Sequence, residues 1–417
     1  MQVVRHGADH EANIARSSRP DTKLPDPLIM EKTIDLLIIG AGPYGLAMAA
    51  YARHLGIDHI IVGKPMEFWK AHMPEGMYLR SASDWPLDPM GIHTIERFLE
   101  LRGLKPADVE PLSLRFYLSY AHWFQEQKRI EALPVLIQRL DCLDGEDRRF
   151  HATTANGQII GANHVVIAVG FEYFKHLPAE LLQRLPAGRY THTCDLVDFQ
   201  GLKEKRCLIL GGRQSAFEWT ALLNEAGAAA VHVSYRHDSP AFKAADFSWI
   251  NPLVDAMVDD PGWFRRLSQK DKEAVNHRLW AEGRLKVEPW LESRVMKETV
   301  TLWPRTQVVA VDERPNDELA VRLDNGRAIA VDAIILATGY KVKIDQAPFL
   351  ARGNILDKLA TQSGFPALDE HLQTNIPGLF ITSMPATQDF GPFFAFTVSV
   401  RTSAKLIGQA IVGAGHH

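Results

Sequence analysis

The sequence predicts an α/β protein with two doubly wound parallel sheets, the second inserted into the first. Two repeated patterns carry this expectation. A short apolar run ends in glycines and leads into a helical stretch at Leu36-Leu37-Ile38-Ile39-Gly40-Ala41-Gly42-Pro43-Tyr44-Gly45. It does so again at Cys207-Leu208-Ile209-Leu210-Gly211-Gly212-Arg213-Gln214-Ser215-Ala216. Such runs read as buried parallel strands, each followed by a tight turn and a helix. The second pattern is a turn, a short strand and a buried strand that stops at a glycine. It occurs at Asn156-Gly157 before Val165 to Gly170, and at Asp324-Asn325-Gly326 before Ile334 to Tyr340. One copy per unit is expected. We expect residues 33–185 and 325–417 to form the first unit and 186–324 the second, with a helical, tryptophan-rich stretch at about 241–303.

The chain has 417 residues, enough for two or three cores, with 46% hydrophobic and 23% charged residues. Its formal net charge of −4 gives no sign of a nucleic-acid partner, and no apolar run reaches membrane-spanning length. Residues 1–32 are polar with several prolines and lack the apolar core of a signal peptide, so they read as an extended arm. The cysteines, Cys142, Cys194 and Cys207, form neither a Cys-x-x-Cys pair nor a metal-ligand spacing. A disulfide reductase and a metal site are therefore not expected, and a reducing cytoplasm is the expected location.

In the first glycine motif Gly40 permits the turn, Gly42 admits a pyrophosphate to the backbone, and Gly45 lets helix and strand pack closely. The helix starts at Pro43 and points its positive end at the anion. After the second strand, His59 to Val62, the usual ribose-binding acid is missing, and Gly63-Lys64 stand in its place. Glu67, a few residues on, either reaches the ribose or is a solvated loop acid. The stretch Phe68 to Ser81 reads as a loop rich in aromatic residues and methionine, including Trp69, Leu79 and Arg80. It either plugs a core or lies along a flat ligand. Ile92 to Arg102 and Ser113 to Gln127 read as helices.

In the second motif Arg213 stands where the middle glycine would be, and either swings out to hold phosphate or blocks close approach. Gln214, Ser215 and Ala216 open the helix. The next strand, Ala230 to Ser234, is followed by Tyr235-Arg236-His237 with no acid at its tip. A guanidinium binds a ribose phosphate where an acid would repel it, so Arg236 favours NADPH over NADH unless it is an ordinary surface arginine. The tryptophan-rich stretch is expected to cap a cofactor cleft or to form a subunit interface, which leaves a homo-oligomer open. Thr374 to Thr382 should return a strand to the first sheet. A last helix is expected over Ala395 to Ile411, with Pro392 in its first turn. Asp389 either binds a ribityl chain or caps that helix.

Taken together, the two glycine motifs and two strand-to-glycine hairpins resemble flavoproteins with two dinucleotide-binding, Rossmann-like domains. The resemblance is greatest to the monooxygenase branch of flavin-containing, N-hydroxylating and Baeyer-Villiger enzymes, from about Ile34 to Ile411. It implies FAD on Gly40, Gly42, Pro43 and Gly45, and NADPH on Gly211, Gly212, Gln214 and Ser215. It places Trp69 near the flavin and gives Ala337-Thr338-Gly339-Tyr340 an architectural role. It also implies a flavin hydroperoxide that oxygenates a small substrate, with dioxygen as co-substrate. Arg80, Asp84 and Gln388 are then the polar candidates near the reacting centre. The chain departs from the N-hydroxylating pattern, since Ser83-Asp84 replaces Lys-Asp, and it keeps only Gly188 and His192 of the Baeyer-Villiger fingerprint.

Overall fold

The computed structural model describes residues 33–81, 83–143, 150–238 and 241–414. The expected arm at 1–32 lies outside them. In the first unit the glycine-motif strand β1 (Ile34–Ile39) runs parallel to β2 (His59–Val62) and to the end of β6 (Ile159–Ile167), with β3 (Ala132–Leu133) beyond β2. The start of β6 instead pairs antiparallel with β5 (Phe150–Thr154), itself paired with β4 (Ile137–Cys142). One long strand thus leaves the hairpin and enters the parallel sheet.

Helix α1 (Pro43–His54) follows the first glycine turn. It is made of small and apolar residues buried on almost every side, because the sheet covers one face and the C-terminal helix Val400–Ala414 the other. A short helix α2 (Glu67–Ala71) interrupts the expected loop. The expected helices appear as α3 (Ile95–Glu100), opened by a Thr94 cap, and, after a turn at α4 (Pro106–Val109), as α5 (Leu114–Lys128), opened by Ser113.

Beyond α6 (Ala179–Leu182), the second unit has a parallel sheet in the order β12, β9, β8, β16, β7. Its strands are β7 (Tyr190–His192), β8 (Arg206–Leu210), β9 (Ala230–Ser234), β12 (Val300–Trp303) and β16 (Ala333–Leu336). Helix α7 (Gln214–Glu225) follows the second glycine turn. The expected boundary at 325 shifts. The hairpin of β13 (Val308–Glu313), β14 (Leu319–Leu323) and β15 (Ala328–Val331) leads into β16, which hydrogen-bonds to β8 and β7 rather than to the first sheet. The chain returns to the first unit only afterwards, through a small hairpin of β17 (Thr361–Gln362) and β18 (Phe365–Pro366) and then β19 (Leu379–Ile381), which pairs with β6 as expected.

The stretch at 241–303 is shared between the two cores. Strand β10 (Ala241–Phe242) pairs with β11 (Lys286–Val287), and between them lie α8 (Ile250–Ala256), α9 (Trp263–Arg266) and α10 (Gln269–Trp280). Ile250, Val254, Met257 and Leu279 belong to the first core, whereas Val287, Leu291 and Val295 of α11 (Glu292–Val295) belong to the second. Residues 300–303 are not part of this stretch, since β12 pairs with β9.

The last helix begins later than expected. Pro392–Ala395 and Thr397–Ser399 form 3-10 turns separated by the extended Phe396, and the α-helix starts at Val400. The reason is Tyr44 in the first turn of α1. Its one hydroxyl proton faces the carbonyls of Phe394 (2.7 Å) and Phe396 (2.8 Å), and its oxygen lies 2.6 Å from Ser399 Oγ, engaging carbonyls that a continuous helix would use. Tyr44→Phe should therefore cost about 1–3 kcal/mol of stability, the usual range for leaving buried polar groups unpaired. Urea unfolding checks this, and a loss below about 0.5 kcal/mol would show that the hydroxyl does not hold this segment.

Candidate functional site

Both glycine turns are crowded in the same way. Gly40 has φ +110°, and a Cβ there would press on the Ala168 carbonyl; Gly211 has φ +143°, and a Cβ there would overlap the Ala337 carbonyl. At Gly45 a Cβ would overlap the carbonyl oxygen of Gly40, so helix and strand meet there without a side chain. At Gly42, by contrast, a Cβ would meet nothing within 4 Å. The start of α1 therefore opens into free space, which is what a diphosphate on exposed backbone amides requires.

That space is a cavity of about 440 Å³ running along the end of the first sheet. Gly40, Gly42 and Pro43 line one end, and Glu67 and Lys64, 3.2 Å apart, line the flank beyond β2. Trp69 lines it too, with its ring 4.8 Å from that of the fully buried Tyr117. Ser81 and Thr397 also line it and lie 3.2 Å apart. The sequence reading did not single out His72, Ser81 or Thr397. His72 lines this cavity, and its Nδ1 lies 2.7 Å from the carbonyl of Cys194 in the second unit. No local pattern marks such a contact, because its partner is 122 residues away.

Ser81 also lines a second cavity, of about 660 Å³, so the two adjoin. Its walls include Leu79, Arg80, Asp84, Trp85, Phe247 and Trp290. The Arg80 guanidinium donates to Glu288 Oε1 (2.7 Å) and to the Gly283 carbonyl, and lies 5.5 Å from the Phe247 ring centroid. Asp84 is exposed and accepts from the Asn251 amide. Leu79 is buried, with its backbone N–H on the Leu112 carbonyl (2.7 Å).

Gln388 and Asp389 line neither cavity. Gln388 donates to Gln362 at 3.4 Å, while Asp389 accepts from the Leu368 N–H (2.9 Å) and lies 4.0 Å from Arg265. Asp389 sits inside a separate short helix, Thr387–Phe390, so it does not cap the last helix.

At the second turn Arg213 points outward, its guanidinium 4.8 Å from the Trp280 ring centroid. Gly212 is packed beneath Tyr235 and His237. The Gln214 side chain is engaged at both ends: Nε2 donates to Glu218 Oε1 (3.1 Å) and Oε1 accepts from the Glu288 N–H (3.1 Å). Ser215 stands exposed in the first turn of α7. Arg236 is exposed at the tip of β9 and shares its surroundings with Lys341 and Lys343. Burial, then these three cations, holds His176 below the ordinary histidine value. The tip of the second sheet is thus a positive zone.

Two models described as pyridine nucleotide-disulphide oxidoreductase match residues 37–261 and 272–382. The chain belongs to that family. Among its relatives, a ferredoxin–NADP reductase of Thermus thermophilus is 27% identical over 352 residues, covering 83% of each chain. An FAD-dependent urate hydroxylase of Xanthomonas campestris pv. campestris is 30% identical over 316 residues, covering 71% of this chain and 63% of the relative. The chain spans about half the length of other curated relatives it matches, 55% for a ferredoxin–NADP reductase of Ralstonia nicotianae at 26% identity over 52% of this chain. In solved structures the same fold is seen in an ornithine N-hydroxylase of Kutzneria sp. 744 (TM-score 0.74, 16% identity, 92% of this chain and all of that one). It recurs in a flavin-containing monooxygenase from Stenotrophomonas maltophilia (TM-score 0.63, 17% identity, 92% and 99%).

The description of that family joins pyridine nucleotides to disulfide chemistry. The open backbone at Gly42 and the cavity along it fit the flavin nucleotide. The family's disulfide chemistry is another matter. Cys142, Cys194 and Cys207 are all buried, and none lines either cavity. Among the described residues no group of three or more potential metal ligands is placed to hold a metal, and no helix is long and apolar enough to cross a membrane.

Glu218, in the middle of α7, is fully buried. Burial, opposed by Arg294 and by the bond from Gln214, pushes its carboxyl up to about 7. The native state therefore keeps this proton at pH values where an unfolded glutamate has lost it. The stability this provides is complete below about pH 4 and is lost as the pH climbs to about 7. Glu218→Gln, which carries no charge to desolvate, should gain up to about 3 kcal/mol over wild type at pH 8 and less than about 1 kcal/mol at pH 5. Urea titrations at the two pH values check it; an equal difference at both would show that Glu218 is already charged in the native state.

Proposed function

We propose that the chain is an NADPH-using flavin monooxygenase. It would place one atom of dioxygen on a small organic substrate, at a nitrogen, sulfur or heteroaromatic centre, held in the cavity around Arg80 and Asp84. The observation that carries this is the junction at Ser81, where a second cavity adjoins the one beside the first glycine turn. FAD supplies the electron storage and oxygen activation when bound. The lack of a cysteine pair leaves no thiol route for electrons, and the fold shared with an ornithine N-hydroxylase and a flavin-containing monooxygenase supports oxygen as their destination.

In this reading Gly40, Gly42, Pro43 and Gly45 hold the flavin diphosphate on the start of α1, Glu67 with Lys64 reaches the ribose, and Trp69 lies beside the flavin. Gly211, Gly212, Arg213 and Ser215 receive the nicotinamide dinucleotide at α7, and Arg236 with Lys341 and Lys343 takes the ribose phosphate. Gln214 acts indirectly, since its amide is already used. Arg80 is bound to Glu288 and shapes the substrate wall rather than moving a proton. Asp84, exposed and held only by an amide, is free to bind a polar group of the substrate. Asp84, Glu110, Asp246 and Glu288 outnumber Arg80 on that wall, and Trp85, Phe247 and Trp290 add aromatic faces. Such a wall favours a neutral or cationic compound over an anion such as urate.

The test is NADPH oxidation by the FAD-loaded protein under labelled dioxygen, with amines, sulfides and heteroaromatic compounds in turn. At least one compound should speed NADPH oxidation, acquire one labelled oxygen atom and suppress peroxide release. The names of the ferredoxin–NADP reductase relatives favour a second reading, a flavin reductase or oxidase that transfers no oxygen. Peroxide equal to the NADPH consumed with every compound would establish it. Separately, Arg236→Ala should raise the Michaelis constant for NADPH about tenfold, the worth of about 1.4 kcal/mol, and that for NADH less than twofold. An equal effect on both would show that Arg236 does not read the phosphate.

A further inference from the structure

The segment Gly76 to Arg80 supplies Leu79 and Arg80 to the second cavity, and the second unit grips it at both ends. At one end Arg294 donates to the Gly76 carbonyl (3.4 Å), and its guanidinium lies 5.8 Å from the Tyr78 ring centroid. At the other end Glu288 accepts from Arg80 (2.7 Å). The two grips meet at one side chain. Arg294 Nη1 lies 3.7 Å from Glu218 Oε2, and Glu218 Oε1 accepts from Gln214, whose own carbonyl oxygen accepts from the backbone of Glu288. Gly76, Arg294, Glu218, Gln214, Glu288 and Arg80 thus form a ring of polar contacts joining the first turn of α7 to the cavity wall.

Glu218 is an unusual residue for its position. It is 0% exposed on a helix whose neighbouring positions are filled by Phe217, Trp219 and Ala221, and a buried carboxylate is costly there. Arg294 is not held by Glu218 alone, because Glu225 takes it at 2.6 Å. What Glu218 adds is the junction between the two grips.

We propose that Glu218 is the positioning residue through which a nucleotide bound at the start of α7 tightens the Gly76–Arg80 wall of the neighbouring cavity. The proposal rests on the reading of α7 as the NADPH site. Ordering the first turn of α7 fixes Gln214, and Gln214 fixes both Glu218 and the Glu288 backbone. Each holds one end of the segment, so occupancy at one site is felt at the other as reduced motion.

Hydrogen–deuterium exchange on the FAD-loaded full chain, with and without saturating NADP⁺, tests this. In wild type NADP⁺ should slow exchange across residues 76–81 at least fivefold. In Glu218→Ala, and in Glu288→Gln as a milder change at the far end of the same ring, the slowing should fall below twofold although NADP⁺ still saturates. A merely structural Glu218 would loosen the segment equally with and without NADP⁺ and leave the ratio at wild-type value, which would overturn the proposal. Calorimetric binding of NADP⁺ to wild type without any slowing would overturn the coupling alone. No binding at all would overturn the nucleotide site as well.

Discussion

Two strand-to-helix turns leave no room for a side chain, and the molecule is arranged around that crowding. At each, the turn passes beneath the carbonyl of an alanine on the neighbouring strand, Ala168 over Gly40 and Ala337 over Gly211. Each alanine directly follows the strand that leaves a hairpin, β6 in the first unit and β16 in the second. Contact between turn and strand end therefore fixes where the parallel sheet stops, and helix and cavity begin. The first turn adds a helix residue, Gly45, pressed on the carbonyl of Gly40, while the second makes do with Ala216. The difference is physical: the first turn presents open backbone at Gly42, and the second presents Arg213, turned out onto Trp280.

The insertion makes one molecule of the two units. Its α8 packs into the first core, where the Val254 carbonyl accepts from Thr402 (2.9 Å), and its α11 packs against α7 in the second. A stretch anchored on both sides cannot move with either unit alone. It is therefore suited to hold a wall common to both, and Phe247, Glu288 and Trp290 stand on the second cavity.

Much of this was legible in the sequence, and the rest was not for identifiable reasons. The strands, the helix starts and the repeated hairpin rest on patterns contained within about fifteen residues, so Gly40, Gly42, Gly45 and Gly211 could be placed from local chemistry. The boundary at 325 was misplaced because a hairpin leading into a buried strand looks the same whichever sheet receives it. Ile250 and Val287 carry no sign of which core they enter. Gln388 and Asp389 were expected near the flavin from their place before the last helix, yet the hydroxyl of Tyr44 delays that helix to Val400 and leaves both outside the cavities. A contact across 350 residues has no local signature.

The absence of a cysteine pair bears on the chemistry more than any single residue present. A family whose name joins pyridine nucleotides to disulfides needs two thiols within bonding reach to pass electrons that way. Here none of the three cysteines lines either cavity, and burial pushes the Cys194 thiol up to about 11 and the Cys207 thiol up to about 12, the direction opposite to a reactive thiolate. Adjoining the first cavity at Ser81 is a chamber of about 660 Å³ with aromatic walls, acidic groups and one tethered arginine. In the monooxygenase reading proposed above, such a chamber would hold a small molecule beside the site of oxygen activation.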